Sequence, residues 1–191
     1  MKLVFATNNA HKLEEARQIL SPEIDVISML DAGFDADIDE TGSTLEANAS
    51  IKSHTLHEFT GLNCFADDTG LEIEALDGRP GVYSARYAGP GHDFSANVDK
   101  VLNELRNEDN RKARFRTVVS LILDGQECLF EGIVDGEIMR ERAGNGGFGY
   151  DPVFRPDGYN LSFGELSADE KNAISHRGRA LQKMVDFLKS H

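Results

Sequence analysis

Phe115-Arg116-Thr117-Val118-Val119-Ser120-Leu121-Ile122-Leu123, then Asp124-Gly125, then Glu127-Cys128-Leu129-Phe130-Glu131-Gly132-Ile133-Val134, is the stretch on which the fold turns. Two runs rich in β-branched and aromatic residues around an Asp-Gly pair spell a hairpin. Downstream, Gly136–Arg142 offers a third antiparallel strand. Upstream the pattern changes. Leu3–Ala6 reads as a short buried strand, after which Leu13, Ala16, Ile19 and Leu20 recur at helical spacing. Ile24–Met29 reads as a second strand. Ser43-Thr44-Leu45-Glu46 resembles a capping box, opening a helix that ends at Gly61. Asn63–Ala66 and Leu71–Leu76 read as separate strands on either side of Asp67-Asp68-Thr69-Gly70, and Asp77-Gly78-Arg79-Pro80-Gly81 as a turn. Asp93 caps a helix with Val98, Val101, Leu102 and Leu105 on one face. Ala180, Leu181, Met184, Val185 and Leu188 are spaced for burial on a last helix. Strands alternate with helices early and form a meander later, which predicts an α/β domain with a mixed sheet.

A chain of 191 residues, 40% of them apolar, is long enough for a sizeable core within one domain. Its net charge of −13 argues against general nucleic-acid or anionic-membrane binding, which rely on basic footprints. An anionic small substrate stays possible if lysines and arginines gather locally or a divalent cation helps. Cys64 and Cys128 lie far apart without C-x-x-C spacing, so neither zinc nor a disulfide framework is expected. No run is apolar enough for a secretory leader or a membrane span. The expected compartment is a reducing cytoplasm.

Four constellations bear on chemistry. Gly144-Asn145-Gly146-Gly147-Phe148-Gly149 matches G-x-G-x-x-G on paper. The dinucleotide fingerprint, however, needs a helix opening on its last glycine, whereas Tyr150-Asp151-Pro152 follows here. What remains is a loop whose backbone can approach a ligand beside an aromatic face and an acid, or else a plain glycine-rich turn. Thr7, Asn8, Asn9 and Lys12 stand where a strand passes into a helix, a place that favours anions. A simple helix cap with a solvated lysine is the alternative. Asp67 and Asp68 follow an apolar strand, and in a strand their side chains point to opposite faces. One such carboxylate with a second from Asp39-Glu40 would suit magnesium, which takes one or two carboxylates plus substrate phosphate oxygens. An Asx turn is the other possibility. Finally, Ser167-Ala168-Asp169-Glu170 reads as a capping box for a short helix, and a break near Ser175 would place His176 and Arg177 in the first turn of the next. Exposed basic residues such as Lys171, His176 and Arg177 are often merely solvated. His54 and His57, one helical turn apart, lack a third metal ligand and read as solvated.

Taken in chain order, Thr7-Asn8-Asn9-Ala10-His11-Lys12, Phe65-Ala66-Asp67-Asp68-Thr69-Gly70-Leu71, Gly78-Arg79-Pro80-Gly81-Val82-Tyr83-Ser84-Ala85-Arg86-Tyr87, Gly146-Gly147-Phe148-Gly149-Tyr150-Asp151-Pro152-Val153-Phe154 and Glu170-Lys171-Asn172-Ala173-Ile174-Ser175-His176-Arg177 span nearly the whole chain. Together they resemble the inosine triphosphate pyrophosphatase family, the house-cleaning nucleoside triphosphate hydrolases. The resemblance implies one nucleoside triphosphate pyrophosphatase domain over residues 1–191. Its fold would be an elongated α/β domain with a mixed twisted sheet and two lobes flanking a central cleft, usually as a homodimer. It implies magnesium-dependent hydrolysis of ITP, dITP and XTP to monophosphate and pyrophosphate. On the same ground Thr7, Asn8, Asn9, Ala10, His11, Lys12 and Lys52 would hold phosphates, with Asp68 the essential carboxylate and Thr69 beside it. Phe148, Gly149, Tyr150 and Asp151 would frame the nucleoside, and Lys171, His176 and Arg177 would read the base. Asp39 and Glu40 are both candidate partners of Asp68 at the metal, and Glu40 is preferred because it is in register with the family pattern. A nucleotide sensor and a monophosphate phosphatase are the competing classes. A sensor would be expected to lack Asp68 or Lys12, and a phosphatase would release orthophosphate.

Overall fold

Alternation of buried residues along the strands decides how the layers form. The computed structural model describes residues 1–191. Its strands are β1 (Lys2–Phe5), β2 (Asp25–Ser28), β3 (Cys64–Ile73), β4 (Pro80–Gly81), β5 (Lys112–Leu123), β6 (Gln126–Ile138) and β7 (Phe154–Pro156). Its helices are α1 (Ala10–Leu20), α2 (Leu45–Thr60), α3 (Phe94–Glu104), α4 (Ala168–Ile174) and α5 (His176–Lys189). The strands form one sheet in the order β2-β1-β3-β5-β6-β7, with β4 paired to β3. β1 runs parallel to β2 and β3, whereas β4 is antiparallel to β3 and β7 to β6. The sheet is therefore mixed and the class α/β, as the pattern of elements predicts.

The chain divides into two compact units. The first comprises Met1–Asp68, Thr117–Gly132 and His176–His191, and the second Thr69–Arg116 and Ile133–Ser175. In the first, period-two alternation gives each sheet face its own core. Leu3, Phe5 and Phe65 pack with Ala16 and Leu20 of α1 and Ala180, Leu181 and Met184 of α5. Val4, Ala6, Cys64 and Ala66 pack instead with Leu56 of α2. The second unit has a single core in which Leu71, Val98, Val101, Phe115, Phe154 and Phe163 meet.

Caps set the helix ends. Asn9, not Thr7 or Asn8, caps α1, its side chain accepting from the backbone N–H groups of His11 and Lys12. Thr44 caps α2 one residue later than a Ser43–Glu46 box would require, and Gly61 ends that helix at φ 68°. Asp93 caps α3, and Ser167 with Glu170 forms a full capping box on α4. Two strand readings need correction. Residues 63–66 and 71–76 do not form separate strands, because β3 runs unbroken through Asp67-Asp68-Thr69-Gly70 to Ile73. Gly136–Arg142 is not a third strand, because β6 itself continues to Ile138 and the next partner is β7. In both cases pairing with neighbours overrides local turn propensity.

Gly132 in β6 shows how close α5 lies to its sheet. A Cβ there would overlap the His176 carbonyl oxygen and the Ala180 nitrogen, both backbone atoms. Gly132→Ala is expected to cost about 1–3 kcal/mol through overpacking. That lowers Tm by roughly 2–4 °C per kcal/mol in a chain of this size. Scanning calorimetry checks it, and an unchanged Tm would show that α5 yields freely.

Candidate active site

Because β3 is continuous, its two aspartates face opposite sides and meet different neighbours. Asp67 shares the face of Phe65, towards α1 and α5. Its Oδ1 lies 3.1 Å from Lys12 Nζ and its Oδ2 2.8 Å from Arg177 Nε. Arg177 Nη1 reaches Glu15 Oε1 at 2.6 Å. Burial alone would raise the Asp67 carboxyl, but Lys12, Arg177 and Lys52 outweigh it and hold the group well below the ordinary carboxylate range. Arg177, itself buried, is pushed up by Asp67 and Glu15 against the opposing effect of burial.

Asp68 shares the face of Ala66, towards α2. Asn48 donates a side-chain hydrogen bond to it, while the Asn48 Oδ1 accepts from Gly42 N at 2.7 Å. Burial pushes the Asp68 carboxyl up to about 6; Lys52 and Lys12 pull against this, and Glu40 adds to it. Lys52 Nζ lies 2.6 Å from Glu40 Oε1 and donates to the Asp67 backbone carbonyl. Its ammonium is held above its ordinary pKa, since Glu40, Asp68 and Asp67 outweigh burial. Glu40 sits below its ordinary value for the matching reason: Lys52 and Lys12 outweigh burial. Of the two acids considered as partners for Asp68, Glu40 is thus beside Lys52 and Asp68, whereas Asp39 is exposed. No group of three or more His, Cys, Asp or Glu that could hold a metal ion is present. The all-oxygen pair Glu40 and Asp68 fits a hard cation that completes its shell with phosphate oxygens and water.

The loop from β1 to α1 is held by its own polar groups. Thr7 Oγ1 accepts from Asn9 N at 3.1 Å. Asn8 Nδ2 donates to Asp37 Oδ1 at 2.6 Å, which ties the connection between β2 and α2 to this segment. Ala10 and His11 form the first turn of α1, where Lys12 turns back to Asp67.

In the second unit, Asp151 Oδ2 accepts from Lys171 Nζ at 2.6 Å and from Phe148 N at 3.0 Å. The Lys171 ammonium lies 4.9 Å from the Phe148 ring centroid and 5.8 Å from that of Phe163, within cation–π range. Tyr150 is buried and its hydroxyl donates to the Ser84 carbonyl at 2.6 Å. Gly149 has φ 61° and open space around a would-be Cβ. Its conformation alone therefore accounts for glycine, and a side chain there would strain the backbone whatever binds nearby. Thr69 directly follows Asp68 in β3. The break at Ser175 is as expected: its backbone is extended (φ −67°, ψ 159°), and α5 opens on His176 and Arg177. Both are buried, not solvated.

A model described as the Ham1 family matches residues 3–187. The chain belongs to the Ham1 family. Relatives bear this out along the full length. The chain is 52% identical over 188 residues to a protein from Porphyromonas gingivalis called dITP/XTP pyrophosphatase, covering 98% of this chain and 97% of that one. It is 48% identical over 188 residues to one of the same name from Christiangramia forsetii, covering 98% and 99%. Among solved structures, a HAM1 protein from Coxiella burnetii superposes with a TM-score of 0.90 at 40% identity, with all of both chains covered. A Staphylococcus aureus Ham1 protein gives 0.89, also at 40%, covering 100% of this chain and 99% of that one.

Sequence reasoning missed three residues of this candidate site. Glu15 lies on α1 one turn after Lys12, a spacing that reads as an ordinary surface acid until Arg177 is found against it. Asn48 reads as a neutral residue inside α2, and Asp67 as the idle member of an acid pair. Only the continuity of β3 would have signalled that both aspartates are engaged. His54 is exposed, as expected, and its Nε2 lies 3.1 Å from Glu127 Oε2.

Proposed function

We propose that this chain hydrolyses the non-standard purine nucleoside triphosphates ITP, dITP and XTP to monophosphate and pyrophosphate with magnesium. The observation that carries the reading is a buried carboxylate, Asp68, pushed up to about 6 by burial and set among the charges of Lys52, Glu40 and Lys12. Membership of the Ham1 family and the names of its relatives supply the substrate class. The resemblance also supports a cytoplasmic homodimer, and no helix is long and apolar enough to cross a membrane.

In the proposed reaction a water oxygen forms a bond to the α-phosphorus as the bond from that phosphorus to the bridging oxygen of the β-phosphate breaks. Asp68 orients the water and accepts its proton, for which a pKa near the working pH is suited. Lys12 and Lys52 stabilise the charge that collects on departing pyrophosphate. The segment Thr7 to Lys12 contributes further donors to phosphate oxygens, with Thr69 beside the catalytic carboxylate. Glu40 and Asp68 would hold magnesium, with Glu40 preferred to Asp39 because it lies beside Lys52 and Asp68. Bound there, magnesium would neutralise phosphate charge. In the second unit Phe148 offers its ring face to the purine. Asp151 fixes that loop, and Tyr150 braces it through Ser84. By the family resemblance, Lys171, and His176 at the start of α5 in the first unit, would supply donors for the oxygen at purine C6. Adenine places an amino donor there, and leaving buried polar groups unpaired can discriminate by about 10⁴–10⁵.

The test is a pyrophosphate-release assay over a nucleotide panel with and without magnesium. ITP, dITP and XTP should be turned over, and ATP scarcely. Release of orthophosphate from monophosphates instead would sink the reading.

A pH dependence follows from Asp68. Its protonated form is inactive as a base, so kcat/KM for ITP should rise as pH climbs through about 6 at low magnesium. More magnesium should move this limb to lower pH, because a nearby cation favours the carboxylate. The stability effect has the opposite sign. A carboxyl raised in the fold binds its proton more tightly than in the unfolded chain. Its contribution is therefore present at low pH and lost as pH rises through about 6. An acid limb that magnesium leaves in place would exclude Asp68 from the metal site.

A further inference from the structure

The resemblance assigns Arg177 to the purine base, yet its guanidinium is committed elsewhere. Nε donates to Asp67 at 2.8 Å and Nη1 to Glu15 at 2.6 Å, and the side chain is only 2% exposed. The other oxygen of Asp67 holds Lys12 Nζ, and its backbone carbonyl accepts from Lys52. We propose that Arg177 is a positioning residue for the phosphate end of the substrate, acting through Asp67 on Lys12, with Glu15 as its second anchor.

The geometry explains why an arginine is needed. A guanidinium presents donors in a fixed planar fork, so two carboxylates on different elements lock its orientation. Arg177 therefore ties α5 to both β3 and α1 with directional bonds. Asp67 then has one oxygen fixed, and the other can point only where Lys12 meets it. Lys12 is a flexible chain on the first turn of α1, and without that hold its ammonium would sample many rotamers. Ordering it in advance removes an entropic cost from phosphate binding. Asp67 also leaves Lys12 a site at which it is attracted but not neutralised outright, because Arg177 shares the same carboxylate. This inference rests on the phosphate role proposed for Lys12.

The experiment uses inorganic pyrophosphate, which carries no base, and reads its binding to the full chain by calorimetry beside KM and kcat for ITP and ATP. Arg177→Lys cannot bridge both carboxylates. It should weaken pyrophosphate roughly 10- to 100-fold, the scale of a lost charge-assisted hydrogen bond. KM for ITP should rise by the same factor, leaving the ITP-to-ATP ratio in kcat/KM unchanged. Glu15→Gln keeps Arg177 and Asp67 in place and guards against a misfolded first variant; it should show the same pattern to a smaller degree. Adding Lys12→Ala to Arg177→Lys should weaken pyrophosphate no further than Lys12→Ala alone, since the arginine acts through that lysine. Unchanged pyrophosphate affinity with a shifted ITP-to-ATP ratio would make Arg177 a base reader and overturn the proposal. Unchanged affinity with only a lower Tm would overturn it too, leaving a purely structural role. Pyrophosphate binding is read without turnover, so this result is separable from the substrate assignment.

Discussion

Asp68→Asn is expected to lower kcat/KM for ITP by about two to four orders of magnitude, the range for removing a general base. The fold should survive. An asparagine is nearly isosteric, its carbonyl can still accept from Asn48, and it removes a carboxylate whose burial pushes its pKa up to about 6. Neutralising such a group relieves a desolvation cost. Tm should therefore hold or rise while pyrophosphate release collapses. The neighbouring Asp67→Asn should do the reverse in kind. It leaves Lys12 and Arg177 facing an amide, and breaking a buried pair in that way is destabilising. Near-full activity in Asp68→Asn would mean that the two faces of β3 have been assigned the wrong way round.

The other large effect belongs to the second unit. Asp151 and Lys171 form an ion pair with both side chains 5% exposed. Asp151→Asn strands a buried ammonium and should cost about 3–5 kcal/mol. At roughly 2–4 °C per kcal/mol that is a loss of about 10 °C in Tm. The double variant Asp151→Asn with Lys171→Met removes both charges and should recover most of the loss, since a hydrophobic replacement of a buried pair is often neutral. The Lys171 contacts with Phe148 and Phe163 also allow a methionine, whose thioether packs well on aromatic rings. If the single variant melts with the wild type, the pair is not held in the dry setting described here. A double variant that is stable but inactive on ITP would assign Lys171 to the substrate.

Much of this molecule was legible from one chain of letters. The Asp124-Gly125 turn marks the hairpin, because local chemistry suffices to reverse two β-rich runs. Ser167 and Glu170 mark the start of α4, and the break before His176 follows from residues that cannot share one helical face. Period-two geometry separates Asp67 from Asp68 once both are known to lie in a strand. That last condition was hidden. Asp-Asp-Thr-Gly has the composition of a turn, and only pairing within the sheet makes it part of a ten-residue strand. The pairing of Arg177 with Glu15 and Asp67 could not be read at all, since it joins residues more than a hundred positions apart in the chain. A sequence states which side chains carry charge and how each local segment prefers to bend. Which charges meet is decided by the packing of α1 and α5 on one face of β3 and of α2 on the other, because burial makes pairing obligatory only after the layers have closed.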